Sequence, residues 1–67
     1  MIEITVNGER REVPADATLS GLLRHLDIDP RMVVVEHNRT IVRRTGLDGV
    51  TVRPGDEVEI VQFVGGG

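Results

Sequence analysis

The chain ends in Gly65, Gly66 and Gly67, directly after the apolar, strand-like run from Val58 to Val64. A carboxylate carried on three residues without side chains is the conspicuous reactive group of this sequence. The strip is thin and mobile enough to enter a narrow cleft in another protein and present its acyl end there. Extended backbone from Phe63 to Gly67 reaches about 17 Å, at roughly 3.4 Å per residue. That is enough to enter an active site while a globular body stays outside. The chemistry open to such a group is acyl transfer, and it needs prior activation, because oxide is a poor leaving group. Glycine-rich ends also fray for no chemical reason, so the tail alone reads equally as a carrier end and as a loose terminus. The rest of the chain favours the carrier.

The other reactive side chains make no competing site. His25 and His37 lie far apart without a metal-ligand pattern around them and read as surface residues, so no metal is expected. Glu57 and Glu59 share a strand face, but without a cleft they read as a solvated acidic stripe that meets basic residues of a partner. Thr18 is explained by helix capping, and with Ser20 it joins no Ser/His/Asp set. Arg43 and Arg44 read either as an anion or partner-acid contact or as a solvated pair. All eight basic residues are arginine, which removes lysine as a nucleophile or Schiff-base former. The chain has no cysteine, so sulfur chemistry cannot run through a thiol of its own.

Composition narrows the setting. A chain of 67 residues allows one small domain, residues 1–67, with no room for an internal active-site cleft. The net charge of −3 favours neither nucleic acid nor an anionic membrane surface. No apolar run approaches membrane-spanning length, and the first residues read as a strand rather than a leader. With no cysteine to pair, the expected location is the cytoplasm. There is no phosphate-binding loop, so any nucleotide belongs to a partner.

The elements that must position the tail are well punctuated. Ile2, Ile4 and Val6 alternate with Glu3 and Thr5, the period of a half-buried strand. Asn7-Gly8 is a hairpin turn, so residues 9–14 return antiparallel with Val13 inward and Pro14 at the end. Over residues 15–26 the period changes, since Leu19, Leu22, Leu23 and Leu26 form one helical stripe. Thr18 is placed to cap this helix, and Asp16 to complement its dipole. Gly21 either costs about 1 kcal/mol relative to alanine or admits a neighbouring backbone. Pro30 stops the helix, with Ile28 folding back onto the core. Residues 32–36 and 40–42 are strands joined by a turn at His37-Asn38-Arg39, and Leu47 and Val50 anchor the polar loop that follows. After the turn Arg53-Pro54-Gly55-Asp56 comes the last strand, residues 57–63. Its alternation sends Val58 and Ile60 to one face and Glu57, Glu59, Val61 and Phe63 to the other. Exposed beside the tail, Val61, Phe63 and Val64 read as a partner-docking patch, with a core lid as the other reading of Phe63.

This order of elements is that of an α+β, ubiquitin-like β-grasp, a mixed five-stranded sheet packed on one helix (ββαβββ), with a flexible tail at residues 64–67. The last strand is expected beside the first at the sheet centre. From end to end the chain resembles the ThiS family of sulfur carriers in thiamine biosynthesis. The resemblance is carried by Ile4-Thr5-Val6-Asn7-Gly8, the helix start from Thr18-Leu19 to Leu22-Leu23, Val35-Glu36-His37-Asn38, Arg53-Pro54-Gly55-Asp56 leading into Glu59-Ile60-Val61, and the ending Phe63-Val64-Gly65-Gly66-Gly67. One departure is the third glycine, since the family ends in two.

The resemblance implies a co-substrate rather than an enzyme. A ThiF-type adenylyltransferase would join the Gly67 carboxylate to AMP, using ATP and Mg²⁺ in its own site. Sulfur from a persulfide, drawn from cysteine by a cysteine desulfurase or another donor, would then convert it to a thiocarboxylate, which would deliver sulfur to the thiazole synthase ThiG. Gly65, Gly66 and Gly67 would thread the partner sites. The same tail design also suits carriers for molybdopterin, cysteine synthesis or tRNA thiolation, and the alternatives of another class are a ubiquitin-like chain that conjugates to lysines and a non-carrier β-grasp interaction module for which the tail is dispensable.

Overall fold

The computed structural model describes residues 1–63, and it opens on the expected hairpin. Strand β1, Ile2–Val6, pairs antiparallel with β2, Glu9–Val13. Between them Asn7 and Gly8 take φ of 50° and 81°, a two-residue turn whose twist matches that of its strands.

Helix α1, Leu19–His25, is shorter than the leucine stripe over residues 15–26 suggests. Its start is set from outside. The Leu19 N–H donates to Val50 O (2.9 Å) and the Val52 N–H to Ala17 O (2.8 Å), so Thr18 is held extended in an antiparallel bridge with Thr51. Thr18 is the cap, its hydroxyl accepting from the Gly21 N–H at 3.1 Å. Asp16, at φ 65°, lies before the cap, so the first turn holds no acid and the expected dipole contact is not made. The end of the helix also differs from expectation. Asp27 adopts φ 59°, its N–H donates to Arg24 O (3.1 Å), and the Ile28 N–H donates to Leu23 O (2.9 Å). This is the left-handed stop that satisfies the last carbonyls of a helix, and it acts before Pro30 is reached. Pro30 instead opens a 3₁₀ turn, Pro30–Met32, while Ile28 packs on the core as expected. A Cβ added at Gly21 would meet nothing closer than Thr18 Oγ1 at 3.6 Å, so no neighbouring backbone requires glycine there.

Strands β3, Val33–His37, and β4, Thr40–Val42, turn through Asn38 and Arg39, both at positive φ. A 3₁₀ stretch, Arg44–Gly49, replaces the expected irregular loop and buries Leu47. The last strand, β5, is Glu57–Gln62 and stops one residue short of Phe63. The sheet order is β2-β1-β5-β3-β4, with β5 parallel to β1 and antiparallel to β3. This is the mixed five-stranded β-grasp, and it places the last strand at the centre of the sheet. Its inner face and α1 enclose Ile4, Val6, Val13, Leu19, Leu22, Leu23, Val35, Leu47, Val52, Val58 and Ile60. Val52 is the core residue absent from the sequence-based expectation, because the alternation Val50-Thr51-Val52 is too short to mark a strand and makes only an isolated bridge at Thr51. Among the described residues, no helix is long and apolar enough to cross a membrane.

Candidate functional site

The site is the end of β5 from which the tail departs. The strand's alternation buries Val58 and Ile60 and leaves Val61 55% and Phe63 49% exposed. The exposure that docking at Val61 and Phe63 requires is therefore present, and Phe63 is outside the core cluster that a lid would join. Val61 stands opposite Val34 on β3, and the Phe63 N–H donates to Met32 O at 2.8 Å. Val64, Gly65, Gly66 and Gly67, which carry the remaining docking, threading and modification assignments, lie outside the described residues.

An asparagine side chain holds this end in place. β1 pairs with β5 only through Thr5–Glu57 and Val6–Val58. One step on, Asn7 substitutes its amide for a further strand residue: the Ile60 N–H donates to Asn7 Oδ1 (2.7 Å), and Asn7 Nδ2 donates to Ile60 O (3.1 Å). A carboxylate could accept the first bond but not donate the second. In the sequence Asn7 is accounted for by its tolerance of positive φ, and nothing local signals its second role.

Asp56 anchors the other end of β5. Its Oδ2 accepts from the Arg53 N–H (2.9 Å) and from His37 Nε2 (2.7 Å), and its Oδ1 accepts from Asn38 Nδ2 (3.3 Å). Because an ionised carboxylate only accepts, His37 Nε2 carries the hydrogen. His37 and Asp56 are 20% and 12% exposed at their side chains, which corrects the reading of His37 as a surface residue; His25 is exposed as expected. Asn38 completes the staple with backbone and side-chain bonds to Glu57.

Burial alone would raise the Asp56 carboxyl, but the His37, Arg53 and Asn38 bonds outweigh it and hold the group below its ordinary value. A carboxyl lowered by folding contributes stability that is complete above its unfolded pKa and is lost as pH falls through the folded one. Asp56→Asn is therefore expected to lower stability at neutral pH and to flatten the acid limb of a plot of urea midpoint against pH. An acid limb as steep as that of the parent would refute this assignment.

Charge is divided across the outer face of the sheet. Glu57 and Glu59 form the expected acidic stripe, and Glu36, opposite Glu59, extends it. On the far side of the apolar strip lie Arg43 and Arg44, both exposed. Arg31 is engaged: it donates from Nη2 to Asp29 Oδ2 (2.9 Å), which holds the Asp29 carboxyl down at about 2. Two hollows flank the end of β5. One, of about 440 Å³, is lined by Asn7, Ile28, Met32, Ile60 and Gln62 on the helix side. The other, of about 410 Å³ on the outer face, has Val34, Ile41 and Phe63 in its lining and Arg43 and Arg44 at its rim. Among the described residues, no three potential metal ligands come together. What the arrangement offers is a hydrogen-bonded strand end flanked by an exposed apolar strip and by charges of both signs.

The family model described as "ThiS family" matches residues 4–67. The chain is 42% identical over 66 residues to a thiazole synthase of Paramagnetospirillum magneticum, a match that covers 98% of this chain and 20% of that protein. A thiazole synthase of Magnetococcus marinus matches similarly, so the chain spans about a fifth of the length of these relatives. The sulfur carrier protein ThiS of Bacillus subtilis is 36% identical over 50 residues, covering 75% of this chain and 76% of its own. Among solved structures, the crystal structure of the thiamine biosynthesis protein ThiS from Geobacter metallireducens superposes with a TM-score of 0.86 at 35% identity, covering 98% of this chain and all of that one.

Proposed function

This chain belongs to the ThiS family, and on that premise we propose that it is the sulfur carrier of thiamine biosynthesis, a co-substrate of partner enzymes acting in the cytoplasm. The observation that carries this reading is the match to ThiS proteins along the chain, in sequence and in fold. It is supported by a central strand pinned at both ends, by Asp56 and by Asn7, that leads outward to the glycine tail.

The chemistry follows from the carboxylate. In the site of a ThiF-type activating enzyme, a Gly67 oxygen attacks the α-phosphorus of ATP, with Mg²⁺ offsetting phosphate charge, and pyrophosphate leaves. The terminal sulfur of a persulfide, supplied by a cysteine desulfurase or another donor, then displaces AMP from the acyl carbon. A thiol reductant cleaves the resulting acyl disulfide and frees the thiocarboxylate. The anionic sulfur passes to the thiazole synthase ThiG, and Gly67 is regenerated. Residues 65–67 thread the partner cleft, where a Cβ would widen the tail beside the adenylate. Val61, Phe63 and Val64 dock.

The test is intact mass after incubation with the activating enzyme, ATP, Mg²⁺, a persulfide donor and a thiol. The expected product is the chain with one oxygen exchanged for sulfur at Gly67, formed only when ATP is present. A chain that returns unaltered in mass, or that becomes joined to lysines, would overturn the proposal.

A further inference from the structure

We propose that the outer-face hollow beside Phe63 seats an apolar side chain of thiazole synthase, and that acidic residues flanking it pair with Arg43 and Arg44. This inference rests on the partner assigned under Proposed function and specifies how that partner is recognised. The floor is apolar: Val34 from β3, exposed Ile41 from β4, and Phe63. Its rim is cationic. Among the described residues no carboxylate lies within 4 Å of Arg43 or Arg44, whereas Arg31, which also lines the hollow, is neutralised by Asp29 at 2.9 Å. Arg44 also acts at longer range on the Asp29 carboxyl, but neither it nor Arg43 is held in an ion pair among the described residues, so both guanidinium groups are open to an acidic segment beside the apolar floor, on a chain of net charge −3. The acidic row Glu36, Glu57 and Glu59 on the other side of the strip repels the same segment, so the two signs together allow one orientation of docking.

The choice of thiazole synthase as occupant rests on two observations. Two proteins of that name contain, within one polypeptide, a segment that matches 98% of this chain, so the carrier domain and the synthase are produced covalently together. The hollow also includes Phe63, the last described residue before the tail, which sets it close to any protein that receives the tail, and the shared polypeptide selects the synthase over the activating enzyme.

The experiment is titration of the full chain against thiazole synthase from the same organism, at low and high salt. The double variant R43E/R44E is expected to bind about tenfold or more weakly at low salt, and its affinity is expected to vary less with salt than that of the parent. I41Q is expected to weaken binding at both salt concentrations. R24E, on the exposed face of α1, makes half that change in net charge away from the hollow and reports the non-local part of any loss, and unchanged melting temperatures control for folding; R43Q/R44Q replaces the reversal if that variant melts early. Parent-like binding by R43E/R44E or by I41Q, or an equal loss in R24E, overturns the inference while leaving sulfur loading, read by intact mass, untouched. If the parent itself binds no synthase, the partner assignment falls, and this inference with it.

Discussion

A single residue added after Gly67 is expected to abolish the exchange of oxygen for sulfur while leaving the fold intact. The added residue converts the Gly67 carboxylate into an amide and moves the only free acyl end outward by roughly 3.4 Å. Removing Gly67 retracts the carboxylate by a similar distance and is expected to lower the loading rate by more than about a hundredfold, because a displacement of even about 1 Å from the reacting geometry has that order of effect. Neither change touches the core, whose residues run from Ile4 to Ile60. The measurement is loading rate by intact mass, with thermal melting alongside. Full activity in both variants would remove the terminal carboxylate from the mechanism. Loss of activity with a lowered melting point would make the tail a structural element.

Leu22→Ala is expected to unfold most of the population at 25 °C. Leu22 is completely buried at the centre of the α1 face that packs on the sheet. Truncating such a leucine costs about 2–5 kcal/mol in lost burial and residual cavity. A single core of this size rarely supplies more than about 3–5 kcal/mol, and the chain has no cysteine with which to reinforce it. Leu26→Ala provides the contrast, because Leu26 is partly buried at the helix end and its removal leaves a site that solvent can fill. Urea titration followed by circular dichroism should show Leu26→Ala folded with a lowered midpoint and Leu22→Ala largely unfolded before urea is added. Equal midpoints for the two would mean that the helix does not pack as described.

These two expectations draw on different levels of information. The leucine stripe is visible in the sequence because helical neighbours recur at short, fixed intervals, and the burial of Leu19, Leu22 and Leu23 follows from it. The limits of the helix were not visible. Its start depends on residues 50–52, which hold Thr18 extended, and its end on Asp27 entering a conformation that sequence alone assigns more readily to glycine. The burial of His37 is hidden from local pattern for a similar reason: its partner Asp56 lies 19 residues away, and histidine has no local pattern that announces a carboxylate.

The alternating strands, the Asn7-Gly8 hairpin, the amphipathic stripe and the outward placement of Val61 and Phe63 are all legible in the chain read locally. Each of these is a relation between residues a few positions apart, and backbone geometry alone enforces it. The bonds from Asn7 to Ile60 across 53 residues, the burial of Val52, and the place of Arg43 and Arg44 at the same hollow as Phe63 arise from long-range packing instead. Such meetings depend on where the closed sheet brings distant segments together. No local preference encodes them, because the contact exists only once the intervening chain has folded.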